Sequence, residues 1–273
     1  MSKSKKSADE VMVCVHTLDS EDAATPPIPV PDARSNKPIG IHDKKEGQIA
    51  FFQRLINTNI GDEKASVAIP NEIALSLSIS AKSRRRADSL RREIKAAFKK
   101  SDGALYNQDV KSAYDFLEEI QKAVVFSYKA VESFCNAIIP DKHVYKKANS
   151  KGVVEHYGKE QIERWITTSE KVSVIVPAVL SCRSPNEEEF WVDFKNLERI
   201  RNEIIHSKSS NGAELLQELF SPAVECYCTS SVQLLAYFIE KDPMNEIFPL
   251  GFGASQLKVM SVDDAGDLFI EKL

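Results

Sequence analysis

The clearest pattern along the chain is a hydrophobic repeat at helical spacing from about residue 107 to residue 139. Apolar side chains recur every three or four positions for many turns, and Pro140 ends the pattern. The repeat is carried by Ala113, Phe116, Leu117, Ile120, Val124, Tyr128, Val131, Phe134, Cys135 and Ile138. This pattern predicts one long helix with a buried face along its length.

Further stretches show the same spacing later in the chain. A helix is expected to begin near Lys159, and an apolar stretch interrupted by Pro177 follows it. An amphipathic pattern covers residues 187–206, and another covers residues 213–241, where Pro222 is expected to kink or divide the helix. The pattern therefore predicts an all-α fold, a bundle of four to five helices over residues 105–242.

The regions outside this bundle have weaker patterns. Residues 1–45 are rich in Lys, Ser and Pro, which predicts a disordered segment in which Val11 to Val15 could form a short strand. Residues 46–104 are expected to form an N-terminal helical region. Within it, Glu46 to Asn57 suggests a short helix, and Asn71 to Ser80 fits either a strand or a helix.

The C-terminal extension, residues 243–273, contains glycines and alternating apolar positions. Leu257 to Val262 and Leu268 to Lys272 are predicted to form a small hairpin, with the N-terminal segment as a candidate pairing partner.

Composition narrows the functional classes. Hydrophobic residues make up 42% of the 273 residues and charged residues 28%, with a formal net charge of -4. These values are typical of a globular protein. No apolar run approaches the length of a membrane span, and the N-terminus lacks a signal-peptide core, so we expect a cytoplasmic protein with no membrane partner. The five scattered cysteines favour reduced thiols and no metal site.

The basic charge is concentrated between Ala81 and Lys100, where a narrow apolar stripe predicts an amphipathic helix with one strongly basic face. Such a face is able to grip an RNA backbone, although charge runs are more often solvated helix faces. The candidate RNA-binding residues are Arg84, Arg85, Arg86, Arg91, Arg92 and Lys95.

The hexapeptide from Arg201 to His206 offers the most distinctive chemistry in the chain. A histidine exchanges protons near neutral pH, and an arginine holds a phosphate as it gains charge, so the pair can cleave a phosphodiester without a metal or cofactor. The two residues are five apart, so on a straight helix their directions differ by about 140°. They converge if the last turn loosens, or if two copies of the chain face each other.

Other residues bear on this candidate site. Asn202 shares a helix face with His206, and it would orient the phosphate or the imidazole. Glu132 and Asn136 lie four apart on the long helix and would support the catalytic pair, or else form an ordinary hydrogen bond between helices. The competing interpretation of the motif is that Arg201 is a surface residue and His206 caps a helix C-terminus.

The stretch from Leu197 to His206, LERIRNEIIH, resembles the signature of the HEPN domain family, in which an Arg and a polar residue precede a His. The stretch from Ser127 to Pro140, SYKAVESFCNAIIP, is similar to the long opening helix of that family. The resemblance covers about residues 105–242, and its motif residues are Arg201, Asn202 and His206.

This resemblance implies a helical homodimer that cleaves RNA without a metal, in a toxin or antiviral-defence setting. His206 would be the general acid or base, and Arg201 would stabilise the phosphorane. RNA, with tRNA as one candidate, and a cognate antitoxin or regulatory protein are the implied partners. The alternative is a non-catalytic HEPN-like module that dimerises and binds a nucleotide, RNA or protein.

Overall fold

The computed structural model describes residues 10–19, 32–100, 108–148, 150–206 and 212–266. The chain divides into two compact units. Residues 1–74 and 242–273 form one, called here the terminal unit, and residues 75–241 form the other, called here the helical unit. In the sequence, the helical unit therefore lies between the two segments that form the terminal unit.

The terminal unit contains a five-stranded mixed sheet. Its central strand pairs antiparallel with three others, and the last strand runs parallel to the second. The strands are β1 (Glu10–Asp19), β2 (Ile39–Asp43), β3 (Gln48–Ile60), β4 (Glu63–Ala68) and β7 (Lys258–Ser261), in the order β1-β3-β2-β7 with β4 also on β3. Gly61 has a φ of 63°, which the tight β3–β4 turn requires and which glycine adopts without strain.

The sheet shows that the predicted all-α class is wrong, and the fold mixes helices and strands. The predicted helix at Glu46 to Asn57 is strand β3, because Ile49, Phe51 and Gln53 alternate onto one buried face. A polar Gln53 on that face hid the period of two. In the predicted disordered segment, residues 10–19 form β1, and residues 1–9 and 20–31 lie outside the described part of the chain.

Only the first strand of the predicted C-terminal hairpin falls among the described residues. It is present as β7, and it pairs in parallel with β2, which confirms the expected pairing with the N-terminal segment. Residues 262–266 continue as a helical turn, and the second expected strand lies outside the described residues.

Buried polar side chains hold the terminal unit together, and we call Asn36, Lys37, Gln53 and Asn71 the terminal polar core. Each is at most 9% exposed and donates to backbone carbonyls. Lys37 Nζ donates to the carbonyls of Gln256 (2.7 Å) and Pro243 (3.4 Å) and to Ser255 Oγ (3.0 Å). These bonds tie the C-terminal segment to the N-terminal strands.

The helical unit is built around two long helices and a later helix that packs on them. Its helices are α1 (Glu72–Lys100, whose first residues belong to the terminal unit), α2 (Gln108–Ile138), α3 (Lys159–Trp165), α4 (Thr168–Glu170), α5 (Val176–Leu180), α6 (Trp191–Ile205), α7 (Gly212–Phe220) and α8 (Ala223–Ile239). The helices α2, α6 and α8 pack on one another, and Phe116, Phe134, Phe194 and Phe238 are fully buried.

Most sequence-predicted helices of this unit are confirmed. The long helix is α2, the motif helix is α6, and Pro222 divides the last pattern into α7 and α8. A π-helix, Lys171–Ile175, precedes α5 in the apolar stretch around Pro177.

The connection between α2 and α3 forms a two-stranded antiparallel hairpin. Its strands are β5 (Val144–Ala148) and β6 (Val154–Gly158). No helix in the described part of the chain combines the length and the apolar character needed to cross a membrane.

Candidate functional site

The helix α6 places the Arg201–His206 motif at its C-terminal end. Phe194, Leu197 and Ile200 are fully buried and fix which face of α6 turns inward. His206 is the C-cap, with φ -113° and ψ 51°, and its backbone N–H donates to the Asn202 carbonyl at 2.9 Å. The helix therefore ends at His206, which is an exposed residue.

Arg201 is held in place by three neighbours. Its Cζ lies 4.8 Å from the ring centroid of Tyr128, and its Nη2 lies 3.8 Å from Glu132 Oε2. Its Nη1 donates to Asn202 Oδ1 at 2.9 Å. The Arg201 side chain is 25% exposed, so the guanidinium is supported from beneath and still reaches solvent. The 3.8 Å separation from Glu132 is too long for a hydrogen bond, which leaves N–H donors for another anion.

Tyr128 forms the floor beneath Arg201 and is itself fixed by a carboxylate. Its hydroxyl donates to Glu198 Oε1 at 3.0 Å, and its ring stacks on Phe194 with centroids 6.2 Å apart. Burial, followed by the nearby Glu198, raises the pKa of Tyr128, so the hydroxyl stays protonated and remains a donor.

Glu198 joins this floor to α4. Ser169 Oγ donates to Glu198 Oε2 at 2.6 Å, and Lys195 Nζ donates to Ser169 Oγ at 2.7 Å and to Glu198. Burial favours the neutral form of Glu198, but hydrogen bonds from Lys195 and Ser169 outweigh it and lower its pKa. We call Tyr128, Glu132, Ser169, Lys195, Glu198, Arg201 and Asn202 the motif cluster.

The two predicted supporting residues have different surroundings. Glu132 faces Arg201, as described above. Asn136 Oδ1 instead accepts a hydrogen bond from Lys171 Nζ at 2.9 Å, and Lys171 also donates to the Glu163 carbonyl at 3.0 Å. Lys171 is 1% exposed, and this burial lowers its pKa. Asn136 therefore fixes a buried lysine of the π-helix, which the sequence pattern did not single out.

The predicted RNA-binding residues on α1 fall into two groups. Arg84 is paired with Glu225 and donates to Thr229 Oγ1 at 3.0 Å. The Cζ of Arg91 lies 5.3 Å from the Phe116 ring centroid. These two side chains turn toward the bundle. The other four residues are exposed: Arg85, Arg86, Arg92 and Lys95.

The basic helix and the motif cluster attach to different faces of α2. α1 contacts α2 through the Ser80–Ser127 hydrogen bond of 2.7 Å, whereas Arg201 contacts the next residue, Tyr128. Consecutive side chains on an α-helix point about 100° apart. The structure therefore does not place the exposed basic face of α1 directly beside Arg201.

In the described ranges, no group of three or more His, Cys, Asp or Glu side chains is arranged to hold a metal ion. All five cysteines are free thiols, and burial raises the pKa of Cys135 to about 12.

Comparisons of the chain with protein-family models, with curated proteins and with solved structures find no match.

Proposed function

We propose that the chain is a metal-independent RNA endonuclease of the HEPN type, acting in the cytoplasm in toxin or antiviral defence. The observation that carries the proposal is the arrangement of Arg201. Its guanidinium rests on Tyr128 beside Glu132, 25% exposed, on the same helix that ends at the exposed His206. A supported cation and a proton-transfer group on one helix are the two groups that this chemistry needs.

In the proposed mechanism, His206 removes the proton from a ribose 2'-hydroxyl as the 2'-oxygen attacks the adjacent phosphorus. The phosphorus–5'-oxygen bond breaks, and an imidazolium protonates the leaving oxygen. The products are a 2',3'-cyclic phosphate and a 5'-hydroxyl end. Arg201 stabilises the charge that develops on the phosphorane, and Asn202 orients the phosphate or the imidazole.

A homodimer would complete the site. Arg201 lies on α6 and His206 is its C-cap, five residues later. On a straight helix, positions five residues apart point about 140° apart. Two copies of α6 would bring the arginine of one chain toward the histidine of the other, and would supply one imidazole as base and one as acid.

RNA, with tRNA among the candidates, is the proposed substrate, and the exposed α1 residues Arg85, Arg86, Arg92 and Lys95 would contact its backbone away from the cleavage point. A cognate antitoxin or regulatory protein would control the activity.

A second candidate is a non-catalytic helical module that dimerises and binds a nucleotide, RNA or protein. It is favoured by the contacts that Arg201 already makes with Glu132, Asn202 and Tyr128, since an arginine held in this way serves equally well as a structural or binding residue.

The two candidates are separated by incubating total cellular RNA, including tRNA, with the full chain in excess EDTA. The wild type is compared with His206→Ala and with the control His16→Ala, which changes a half-buried histidine of strand β1 in the terminal unit. Cleavage by the wild type and the control, but not by His206→Ala, supports the nuclease. Equal cleavage by all three proteins would remove His206 from the mechanism, and cleavage by none favours the binding module.

A further inference from the structure

The β5–β6 hairpin carries aromatic side chains and immediately precedes α3 in the sequence. Tyr145 and Tyr157 are opposite each other across the two strands, with ring centroids 6.4 Å apart. The Trp165 ring, at the end of α3, meets Tyr157 edge to face at 6.5 Å. Trp165 is 58% exposed, which is unusual for so large an apolar ring and leaves its surface available to a partner.

The hairpin is also basic. Residues 141–159 contain five lysines, two histidines and only two carboxylates, Asp141 and Glu155. Lys147 is paired with Glu170 at 2.6 Å, and Lys159 with Asp141 at 2.9 Å. Lys142 and Lys146 are exposed and form no ion pair with any residue in the described ranges. The unpaired positive charge therefore suits a polyanion rather than a cationic or neutral partner.

Three consecutive residues connect this hairpin to the motif cluster. Glu170 accepts hydrogen bonds from Tyr145 Oη at 2.8 Å and Lys147 Nζ at 2.6 Å. Ser169 donates to Glu198 of α6, and Lys171 donates to Asn136 of α2. The hairpin is thus fixed to the same side of the bundle as Arg201, unlike the basic face of α1.

We propose that the β5–β6 hairpin and Trp165 form a binding surface for single-stranded RNA beside the motif cluster. An RNA base stacks on Trp165, and Lys142 and Lys146 contact the flanking phosphates. The proposal rests on the proposed function, because it assigns this surface to the RNA that the Arg201 cluster would cleave.

A single strand fits this surface better than a duplex. Stacking on a protein ring requires a base that is free of its own stack, and duplex bases are not. An exposed aromatic ring next to lysines is the combination that binds unpaired nucleotides with little sequence preference. Single strands are also flexible enough for the 2'-oxygen attack that the proposed mechanism needs.

The test is a binding titration with a labelled, 2'-O-methylated single strand of about 12 nucleotides. Methylation blocks the 2'-oxygen, so binding is measured whether or not the chain is a nuclease. Fluorescence anisotropy compares the full-length wild type with Trp165→Ala and with Tyr114→Ala, a control that removes another aromatic residue, 65% exposed, from α2. Circular dichroism confirms that each variant is folded.

The expected result is a loss of affinity of about tenfold or more for Trp165→Ala, since one stacked base contributes that much, and less than twofold for the control. Lys142→Gln with Lys146→Gln is expected to weaken binding and flatten its salt dependence more than Arg85→Gln with Arg92→Gln on α1. The same strand annealed to its complement is expected to bind more weakly than the single strand.

A second readout detects stacking directly. The chain has two tryptophans, so Trp191→Phe leaves Trp165 as the only one, and its fluorescence is expected to change when the strand binds. The proposal is overturned if the wild type does not bind the strand, if it prefers the duplex, or if Trp165→Ala binds as tightly as Tyr114→Ala. The proposal is also overturned if only the α1 variant loses affinity, because the RNA would then contact α1 and not the hairpin.

Discussion

The terminal polar core and the motif cluster both bring polar side chains together, yet they do so in opposite ways. In the terminal polar core, Lys37 and Asn71 are at most 9% exposed. They donate to backbone carbonyls, and Lys37 also donates to the Ser255 hydroxyl. In the motif cluster, charged side chains contact one another, and Arg201, Glu132 and Lys195 remain 25%, 37% and 46% exposed.

This difference separates a structural role from a chemical one. A side chain that satisfies buried carbonyls lowers the free energy of the fold and has no donor left for a ligand. A charged side chain that is held by neighbours but still reaches solvent keeps the capacity to bind an anion or to move a proton. We therefore expect substitutions in the first group to affect stability, and substitutions of the exposed cation Arg201 in the second group to affect activity.

The largest expected effect is the loss of cleavage activity in the Arg201→Ala variant. Losing the group that stabilises the phosphorane is expected to reduce the cleavage rate by about 10²- to 10³-fold. Arg201→Lys is expected to recover little, because lysine lacks the planar guanidinium that stacks on Tyr128. The rates are measured under single-turnover conditions. Arg199→Ala, on the same helix and paired with Glu203 and Glu218, serves as the control. A rate for Arg201→Ala equal to that of the control would contradict the assignment.

Lys37→Ala, in the terminal unit, is expected to reduce stability and to leave the cleavage rate unchanged. It leaves the Gln256 and Pro243 carbonyls without their buried donor, which is expected to cost about 2–4 kcal/mol of unfolding free energy. The cleavage rate at a temperature where the variant is folded should equal that of the wild type. Denaturant unfolding measures the loss against Lys45→Ala, an exposed lysine. If Lys37→Ala is as stable as this control, the terminal polar core has no stabilising role.

A smaller effect is expected from Glu198→Gln, and it depends on pH. The folded-state pKa of Glu198 is lowered from 4.5, so its contribution to stability is present above that pH and is lost as the pH falls below it. The variant is expected to lose about 1–2 kcal/mol near neutral pH and to differ less from the wild type in acid. Thermal unfolding from pH 7 down to pH 3 tests this, with the exposed Glu160→Gln as control. A difference that grows toward acid would contradict the assigned sign.

The smallest effect is expected at alkaline pH from Lys171. Burial lowers its pKa from 10.5, so stability should rise with pH between its folded-state pKa and 10.5, as the unfolded chain there binds more protons. Lys171→Met should flatten that rise relative to Lys82→Met, an exposed control. Thermal unfolding between pH 7 and pH 10 measures how stability changes with pH. The same slope in Lys171→Met and in the wild type would contradict the lowered pKa of Lys171.

Helices of the helical unit were predictable because their signals are local. The α2 repeat continues for many turns, and Pro140 and Pro222 mark helix boundaries that the structure also has. The strands were not predictable in this way. β3 depends on pairing with β1, which is distant in sequence. Its buried Gln53 donates to Ser35 and to the Asn36 carbonyl, which no local pattern reveals.

The candidate site was predictable only in part. The motif at Arg201 and its helix could be found from spacing and resemblance, and Glu132 could be proposed as a neighbour. Tyr128, Ser169 and Glu198 could not, because they come from three elements and meet only through tertiary packing. A signal for the β5–β6 hairpin is present in the sequence, since Tyr145 and Tyr157 flank a turn containing Gly152.

The most direct test of the proposed nuclease is analysis of the RNA ends produced by the full chain in excess EDTA. The mechanism predicts fragments with 2',3'-cyclic phosphate and 5'-hydroxyl ends, formed by the wild type and absent with His206→Ala. Fragments with 3'-hydroxyl and 5'-phosphate ends, or cyclic phosphates formed equally by His206→Ala, would contradict it.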